Sequence, residues 1–285
     1  MSSSAIRQIA VIGAGTMGHG IAHVSALAGY SVQLYDIDQA RVSAGLGKVK
    51  SNLDKGVEKG KLAAEDRDRA IALIAGTTQL GDLSGADLVI EAVPEKIELK
   101  QALFGQLEGT CAASAIFATN TSSLSIARIA SGLRDPGRVV GTHFFNPVHI
   151  MTLLELVVHA GTREDVRAAV LEYGARIGKE CIVVNDAPGF ATSRLGVCLG
   201  MEAIRMVEQG VASPEDIDKA MSLGYRHPVG PLRLTDMVGL DVRMNIGDYL
   251  ARELNNPAFE PPALMRKMVA EGKLGQKSGE GFYRW

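Results

Sequence analysis

Ile9-Ala10-Val11-Ile12-Gly13-Ala14-Gly15-Thr16-Met17-Gly18 is an apolar run that ends in G-x-G-x-x-G and passes into a helical stretch reaching Leu27. A short buried strand feeding such a turn asks something different of each glycine. Gly13 makes the tight turn, Gly15 lets a pyrophosphate approach the backbone, and Gly18 lets the helix pack on the strand. The helix start, with Thr16 and Met17 on it, then offers backbone N–H groups and the positive end of its dipole to phosphates. Glycine spacing alone is a weak signal, and here the context strengthens it. A second strand-like run, 32–35, leads to Asp36, about 20 residues beyond the turn, where an acid binds the ribose hydroxyls of an adenine dinucleotide. Asp36 and Asp38 would repel a 2′-phosphate and no arginine follows directly, although Arg41 is only a turn away. The pattern favours NAD over NADP.

The same alternation of short apolar runs and helical stretches continues outward, with strand-like runs at 9–12, 32–35, 88–93, 115–118, 139–142, 153–158 and 182–184. This order predicts an α/β domain, a Rossmann-type mostly parallel sheet covered by helices. Between the second and third runs lies an excursion from about 40 to 75, rich in charged residues and alanine and carrying Lys48, Lys50, Lys55, Lys59 and Lys61. It predicts an inserted helical hairpin standing off the sheet. From Phe190 onward period-two runs give way to helical periodicity, as in Leu195, Leu199, Met201, Ile204, Met206 and Val207. Ser213-Pro214-Glu215-Asp216 has the order of a helix start. Asp186-Ala187-Pro188-Gly189 breaks the chain between the two regimes. The expected domains are therefore a dinucleotide-binding domain over 1–186 and an all-helical domain over 187–285.

Composition excludes several classes of function. Over 285 residues, 46% are apolar and 22% charged, with a net charge of −2. That balance gives no support to a nucleic-acid or membrane-surface role. No apolar run reaches the roughly 18 residues of a membrane span. Met1-Ser2-Ser3-Ser4-Ala5-Ile6-Arg7 lacks the basic head, apolar middle and small-residue site of a secretory signal. The three cysteines, Cys111, Cys181 and Cys198, are distant and odd in number, so neither a disulfide framework nor a metal site is expected. A reduced, cytoplasmic setting is expected.

Hydride transfer from a secondary alcohol needs a group that takes the hydroxyl proton and returns it in reverse, and histidine suits both directions near neutral pH. Among the six histidines (His19, His23, His143, His149, His159 and His227), His143 stands out. It follows Arg138-Val139-Val140-Gly141-Thr142, at the carboxyl end of a strand, where open α/β sheets bind their ligands. After the Phe144-Phe145-Asn146-Pro147 turn, Thr152-Leu153-Leu154-Glu155-Leu156-Val157-Val158 returns as a strand in which Glu155 is a carboxylate among apolar residues. Such a carboxylate is costly without a partner, and a return strand would bring it to His143. Thr119-Asn120-Thr121-Ser122-Ser123 follows another buried strand; its hydroxyls could cap a helix or present Ser122 to a substrate oxygen.

Taken together, the chain resembles the 3-hydroxyacyl-CoA dehydrogenase family, in particular its short bacterial 3-hydroxybutyryl-CoA dehydrogenases. The resemblance spans nearly the whole length. It rests on the 13–18 glycine turn, Glu91-Ala92-Val93-Pro94-Glu95, Thr119-Asn120-Thr121-Ser122-Ser123-Leu124, His143-Phe144-Phe145-Asn146-Pro147, Asp186-Ala187-Pro188-Gly189-Phe190 and Lys277-Ser278-Gly279-Glu280-Gly281-Phe282-Tyr283. The resemblance implies His143 as catalytic acid/base, Glu155 as its orienting partner, and Ser122 as a contact to both substrate oxygen and nicotinamide. It implies Glu95, Lys100, Asn146 and Lys277 as NAD contacts beside the glycine turn and Asp36. Lys59 and Asn52 match positions near the coenzyme A phosphates, and the family's helical domain implies a homodimer. One departure concerns Ser193-Arg194, where the family often carries Asn before the Arg. A serine there has one donor and a shorter reach, and could contact the same oxygen through a water.

Other readings stay open on the sequence. The same chemistry could serve 3-hydroxyadipyl-CoA or a free sugar acid such as gulonate, the latter having no need of a lysine-bearing hairpin. A β-hydroxyacid dehydrogenase with a catalytic lysine would leave His143 without a role. A non-catalytic NAD-binding protein would not need Ser122, His143 and Glu155 together.

Overall fold

In the computed structural model, which describes residues 6–285, the opening apolar run forms β1 (Gln8–Ile12) and the turn after it starts α1 (Thr16–Leu27). β1 is buried along nearly its whole length, as a strand covered on both faces must be. The chain then moves outward through β2 (Ser31–Tyr35) to β3 (Ile74–Thr77), and crosses back to β4 (Leu88–Glu91) on the other side of β1. β5 (Ile116–Thr119), β6 (Val139–Phe144), β7 (Leu153–Val158) and β8 (Glu180–Asn185) complete an eight-stranded sheet in the order β3-β2-β1-β4-β5-β6-β7-β8. Every neighbouring pair is parallel except β6 and β7. The order reverses between β1 and β4, the place where open α/β sheets form a ligand crevice beyond their carboxyl ends.

The inserted hairpin is present as α2 (Gln39–Glu58) and α3 (Ala64–Ala72). Asp38 caps α2, its carboxylate accepting from the Ala40 and Arg41 N–H groups at 2.7 and 3.1 Å. The hairpin does not stand clear of the sheet. Val42, Gly45, Val49 and Leu53 form a buried stripe at helical spacing that rests on α1 and the sheet edge. β3 lies in what the sequence predicted as the end of this helical excursion. It is a short edge strand whose Ala75 and Gly76 are exposed, so no apolar run marked it. β8, the other edge, is longer than the predicted 182–184 and mostly exposed. Helices α4 (Ile97–Thr110), α5 (Ile126–Ala130) and α6 (Glu164–Arg176) supply the remaining cover of the sheet.

By internal contacts the chain divides into a unit through Asp186 and a unit from Ala187 to Trp285. The second unit contains α7 (Thr192–Glu208), α8 (Pro214–Lys219), α9 (Pro231–Val238), α10 (Leu240–Leu254) and α11 (Ala263–Ala270). Its core gathers Met201, Ile204, Leu232, Leu240, Leu250 and Met265. Ser213 caps α8 by accepting from the Asp216 N–H at 3.1 Å, with Pro214 in the first turn. Among the described residues of this unit, β pairing is limited to isolated bridges joining Gly275 with Glu280 and Glu280 with Arg284. No helix among the described residues is long and apolar enough to cross a membrane.

The end of the chain is tied down by Asp236, a fully buried carboxylate on α9. It accepts from Phe282 N at 2.9 Å, Tyr283 N at 2.8 Å and Trp285 Nε1 at 2.9 Å. Bonds to a buried carboxylate are among the stronger ones, and its loss removes the shared acceptor of three donors. Asp236→Ala is therefore expected to destabilise the protein by about 3 kcal/mol or more, read as a lowered midpoint in urea denaturation, with Asp236→Asn losing less.

Candidate active site

At the carboxyl end of β1 the three glycines have three distinct environments. Gly13 adopts φ +97°, a conformation that favours glycine, and a Cβ there would lie 2.6 Å from the Ala92 carbonyl oxygen. A Cβ on Gly18 would lie 1.7 Å from the Gly13 carbonyl oxygen, so only glycine lets α1 start this close to the strand. A Cβ on Gly15 would meet nothing within 4 Å. Space thus opens in front of the first turn of α1, which has no side-chain cap and no acidic residue. Thr16 and Met17 occupy that turn. The amide groups there are left for an anion. Asp36, nearly buried, fixes its carboxylate beside the turn by accepting from Ala14 N at 2.9 Å and Ile37 N at 2.8 Å. Arg41 lies 3.9 Å from the same carboxylate. Open space, unclaimed amides and a held carboxylate fit a dinucleotide with free ribose hydroxyls.

β6 and β7 place His143 directly opposite Glu155 in their antiparallel register. The imidazole Nδ1 and Glu155 Oε2 are 2.6 Å apart, with Glu155 fully buried and His143 5% exposed. A carboxylate withdrawn from water is tolerated when a cationic or donor group meets it. Here it accepts from Nδ1–H, which fixes the ring's orientation and its Nδ1-protonated tautomer. The Phe145 ring packs against the imidazole at a centroid separation of 4.5 Å and a tilt of 49°.

Between the glycine turn and this pair lies a buried polar network centred on Glu91, a residue that the sequence did not single out. Glu91 has no exposed surface and ends β4. It accepts from Lys100 Nζ at 2.7 and 2.9 Å, from Thr119 Oγ1 at 2.6 Å and from Val93 N at 2.7 Å. Lys100, also without exposed surface, lies 3.3 Å from Glu95 as well. Glu95 in turn accepts from the Ser122 N–H at 3.0 Å and from the Thr121 hydroxyl. Asn120 accepts from Phe144 N at 2.9 Å, tying the Ser122 loop to the residue beside His143. The signal for Glu91 was available as a carboxylate closing the apolar run Leu88-Val89-Ile90, the same signal that marked Glu155. The helix after this loop begins later than its hydroxyls suggested, with Ser125 as the cap of α5.

Asn146 is exposed just beyond β6. Asn52 lies half-buried on α2, and Lys59 is exposed at its C-terminal cap. Both line a cleft of about 720 Å³ within the first unit, whose lining includes neither His143 nor Glu155. Ser193 and Lys277 belong to the second unit. Ser193 is half-buried in the first turn of α7, and Lys277 donates to Asp241 at 2.6 Å.

Comparison with known proteins matches residues 8–187 to the NAD-binding domain of 3-hydroxyacyl-CoA dehydrogenase and residues 189–285 to the C-terminal domain of that family. The chain is 43% identical to a 3-hydroxybutyryl-CoA dehydrogenase of Mycobacterium tuberculosis, covering 99% of this chain and 100% of the other. It is 42% identical to a probable 3-hydroxybutyryl-CoA dehydrogenase of Bacillus subtilis, covering 98% and 97%. The crystal structure of (S)-3-hydroxybutyryl-CoA dehydrogenase PaaH1 from Ralstonia eutropha superposes with a TM-score of 0.95 at 42% identity, covering 99% of both chains.

The buried pair predicts a specific pattern of loss. His143→Gln is expected to lower kcat by about 10²–10⁴-fold, and Glu155→Gln by about 10–100-fold, with NADH binding by fluorescence unchanged in both. Residues that act as one unit give non-additive losses, so the double variant is expected to be no slower than His143→Gln alone. Additive losses in steady-state kinetics would show that Glu155 acts on its own.

Proposed function

The chain belongs to the 3-hydroxyacyl-CoA dehydrogenase family, and on that footing we propose that it interconverts (S)-3-hydroxybutyryl-CoA and acetoacetyl-CoA, as a cytoplasmic homodimer. It is an NAD-dependent enzyme, and NAD held at the glycine turn and Asp36 would supply the hydride acceptor for C3 of the substrate. His143 Nε2 takes the proton of the 3-hydroxyl in oxidation and returns it to the 3-keto oxygen in reduction. Glu155 keeps the ring oriented through Nδ1 and balances the positive charge it gains. Ser122, on the loop fastened by Glu95 and Asn120, donates to the same substrate oxygen. The glycine turn takes the pyrophosphate and Asp36 the ribose hydroxyls. Lys100 supports the cofactor side by holding Glu95. The buried His143–Glu155 contact at 2.6 Å carries this reading. The four-carbon acyl group is favoured because the relatives named for it align over nearly the full length of both chains.

The substrate assignment is tested by following NADH oxidation with acetoacetyl-CoA, longer 3-ketoacyl-CoAs and 3-ketoadipyl-CoA side by side. The highest kcat/KM is expected with acetoacetyl-CoA, and NADPH should serve poorly because Asp36 would face its 2′-phosphate. A preference for 3-ketoadipyl-CoA would move the substrate, and turnover of none would overturn the function. The homodimer draws support from the second unit, where Leu195, Leu223 and Tyr225 are 72%, 81% and 76% exposed. Light scattering after gel filtration should give twice the chain mass, and Leu223→Asp should shift it toward the monomer. A wild-type monomer at micromolar concentration would refute the dimer.

A further inference from the structure

The cleft that Asn52 and Lys59 line contains a second pair of histidines. His23, on α1, and His149, beyond β6, stack with ring centroids 5.2 Å apart and planes 9° from parallel. His23 is 4% exposed, and its Nδ1 has no hydrogen-bond partner among the described residues. A buried ring nitrogen left unmet is uncommon, because such groups lose their bonds to water and gain nothing in return. The cleft around it is strongly cationic, lined by Lys55, Lys59, Lys61, Arg176 and Lys179 with no aspartate or glutamate. Asp54, the nearby carboxylate of α2, is engaged by Lys50 and Arg67. Lys179 is held by the carbonyl oxygens of Val148 and Met151, which fixes one cation beside the histidine pair.

The charged and titratable groups that act on His23 are His149 beyond β6, His19 on α1 and Lys179 before β8, and all are cationic or can become so. Burial first, then these groups, pushes the His23 imidazolium down to about 4. His149 is likewise shifted downward, by burial and by His19 and Lys179. At neutral pH the pair is thus uncharged and holds unused hydrogen-bonding capacity in a wall of fixed positive charge. An arriving dianion would supply the opposite charge that the site lacks, and protonation would turn an unmet acceptor nitrogen into a donor.

We propose that the His23–His149 pair is a proton-linked phosphate subsite, which receives the phosphate groups at the nucleotide end of the coenzyme A thioester and gains a proton as they bind. The inference rests on the coenzyme A reading above. The lysines and Arg176 attract the phosphates, and the histidine pair makes the attraction depend on pH. The sign follows from linkage. Proton affinity of the pair is low without ligand and higher with it, so binding takes up protons and tightens as pH falls. The effect spans the window between about 4, where free His23 titrates, and the higher value in the complex, and vanishes above that window.

Isothermal titration of coenzyme A, dephospho-coenzyme A, pantetheine and inorganic phosphate, each at pH 6 in two buffers of different ionisation enthalpy, reads the proton uptake directly. Coenzyme A should take up protons and bind more tightly by up to about tenfold per pH unit between pH 7 and 5.5. Dephospho-coenzyme A should take up fewer and pantetheine none. His149→Gln, an exposed substitution, and His23→Gln should each remove the uptake attributable to the pair and flatten the pH dependence of coenzyme A affinity between pH 7 and 5.5. Uptake identical in wild type and His149→Gln, or seen with inorganic phosphate but not with coenzyme A, would overturn the subsite. Intact turnover of acetoacetyl-CoA with no such uptake would sink this inference alone; absent turnover would sink the function beneath it.

Discussion

Two carboxylates without exposed surface, Glu91 at the end of β4 and Glu155 within β7, are each tolerable only because the fold delivers a partner. Withdrawing a carboxylate from water costs several kcal/mol, which a donor at hydrogen-bond distance must offset. For Glu155 the partner is His143, delivered by the antiparallel register of β6 and β7. A one-residue slip in that register would turn Glu155 to the opposite face of the sheet, away from the imidazole. For Glu91 the partner is Lys100 from the first turns of α4. The His143–Glu155 contact therefore also helps to specify the register of β6 against β7.

These two anchors are joined by polar contacts. Glu91 holds Lys100 and Thr119, Lys100 reaches Glu95, and Glu95 fastens Ser122. Asn120 continues the path to Phe144, next to His143. Groups assigned to cofactor and groups assigned to acid/base chemistry thus share one rigid frame. Strand order explains why they can: β1, β4, β5 and β6 are consecutive neighbours and parallel, so their carboxyl ends project to the same side.

Some of this was legible because it is local. The glycine turn, Asp36 at the end of β2 and the capping order at Ser213 each act within a few residues or a single βαβ unit. The change to helical periodicity after Asp186 was legible for the same reason. β3 was not, because an edge strand with exposed Ala75 and Gly76 carries no apolar pattern. The hairpin's buried stripe, Val42, Gly45, Val49 and Leu53, was hidden beneath a sequence dominated by lysines.

By itself the sequence determined the strand-turn-helix of the dinucleotide site, the alternating α/β first half and the helical second half. It also marked Glu155 as a carboxylate in an apolar strand that, returning beside the preceding one, would come near His143. The tertiary structure alone decided which carboxylate became the hub of the buried network. It also decided that Lys100 would turn inward, and that His23 and His149 would stack in a cationic cleft. The physical reason is range. Backbone conformation and periodicity are set by near neighbours in the chain, whereas burial, desolvation and charge pairing depend on which distant segments share a sheet edge.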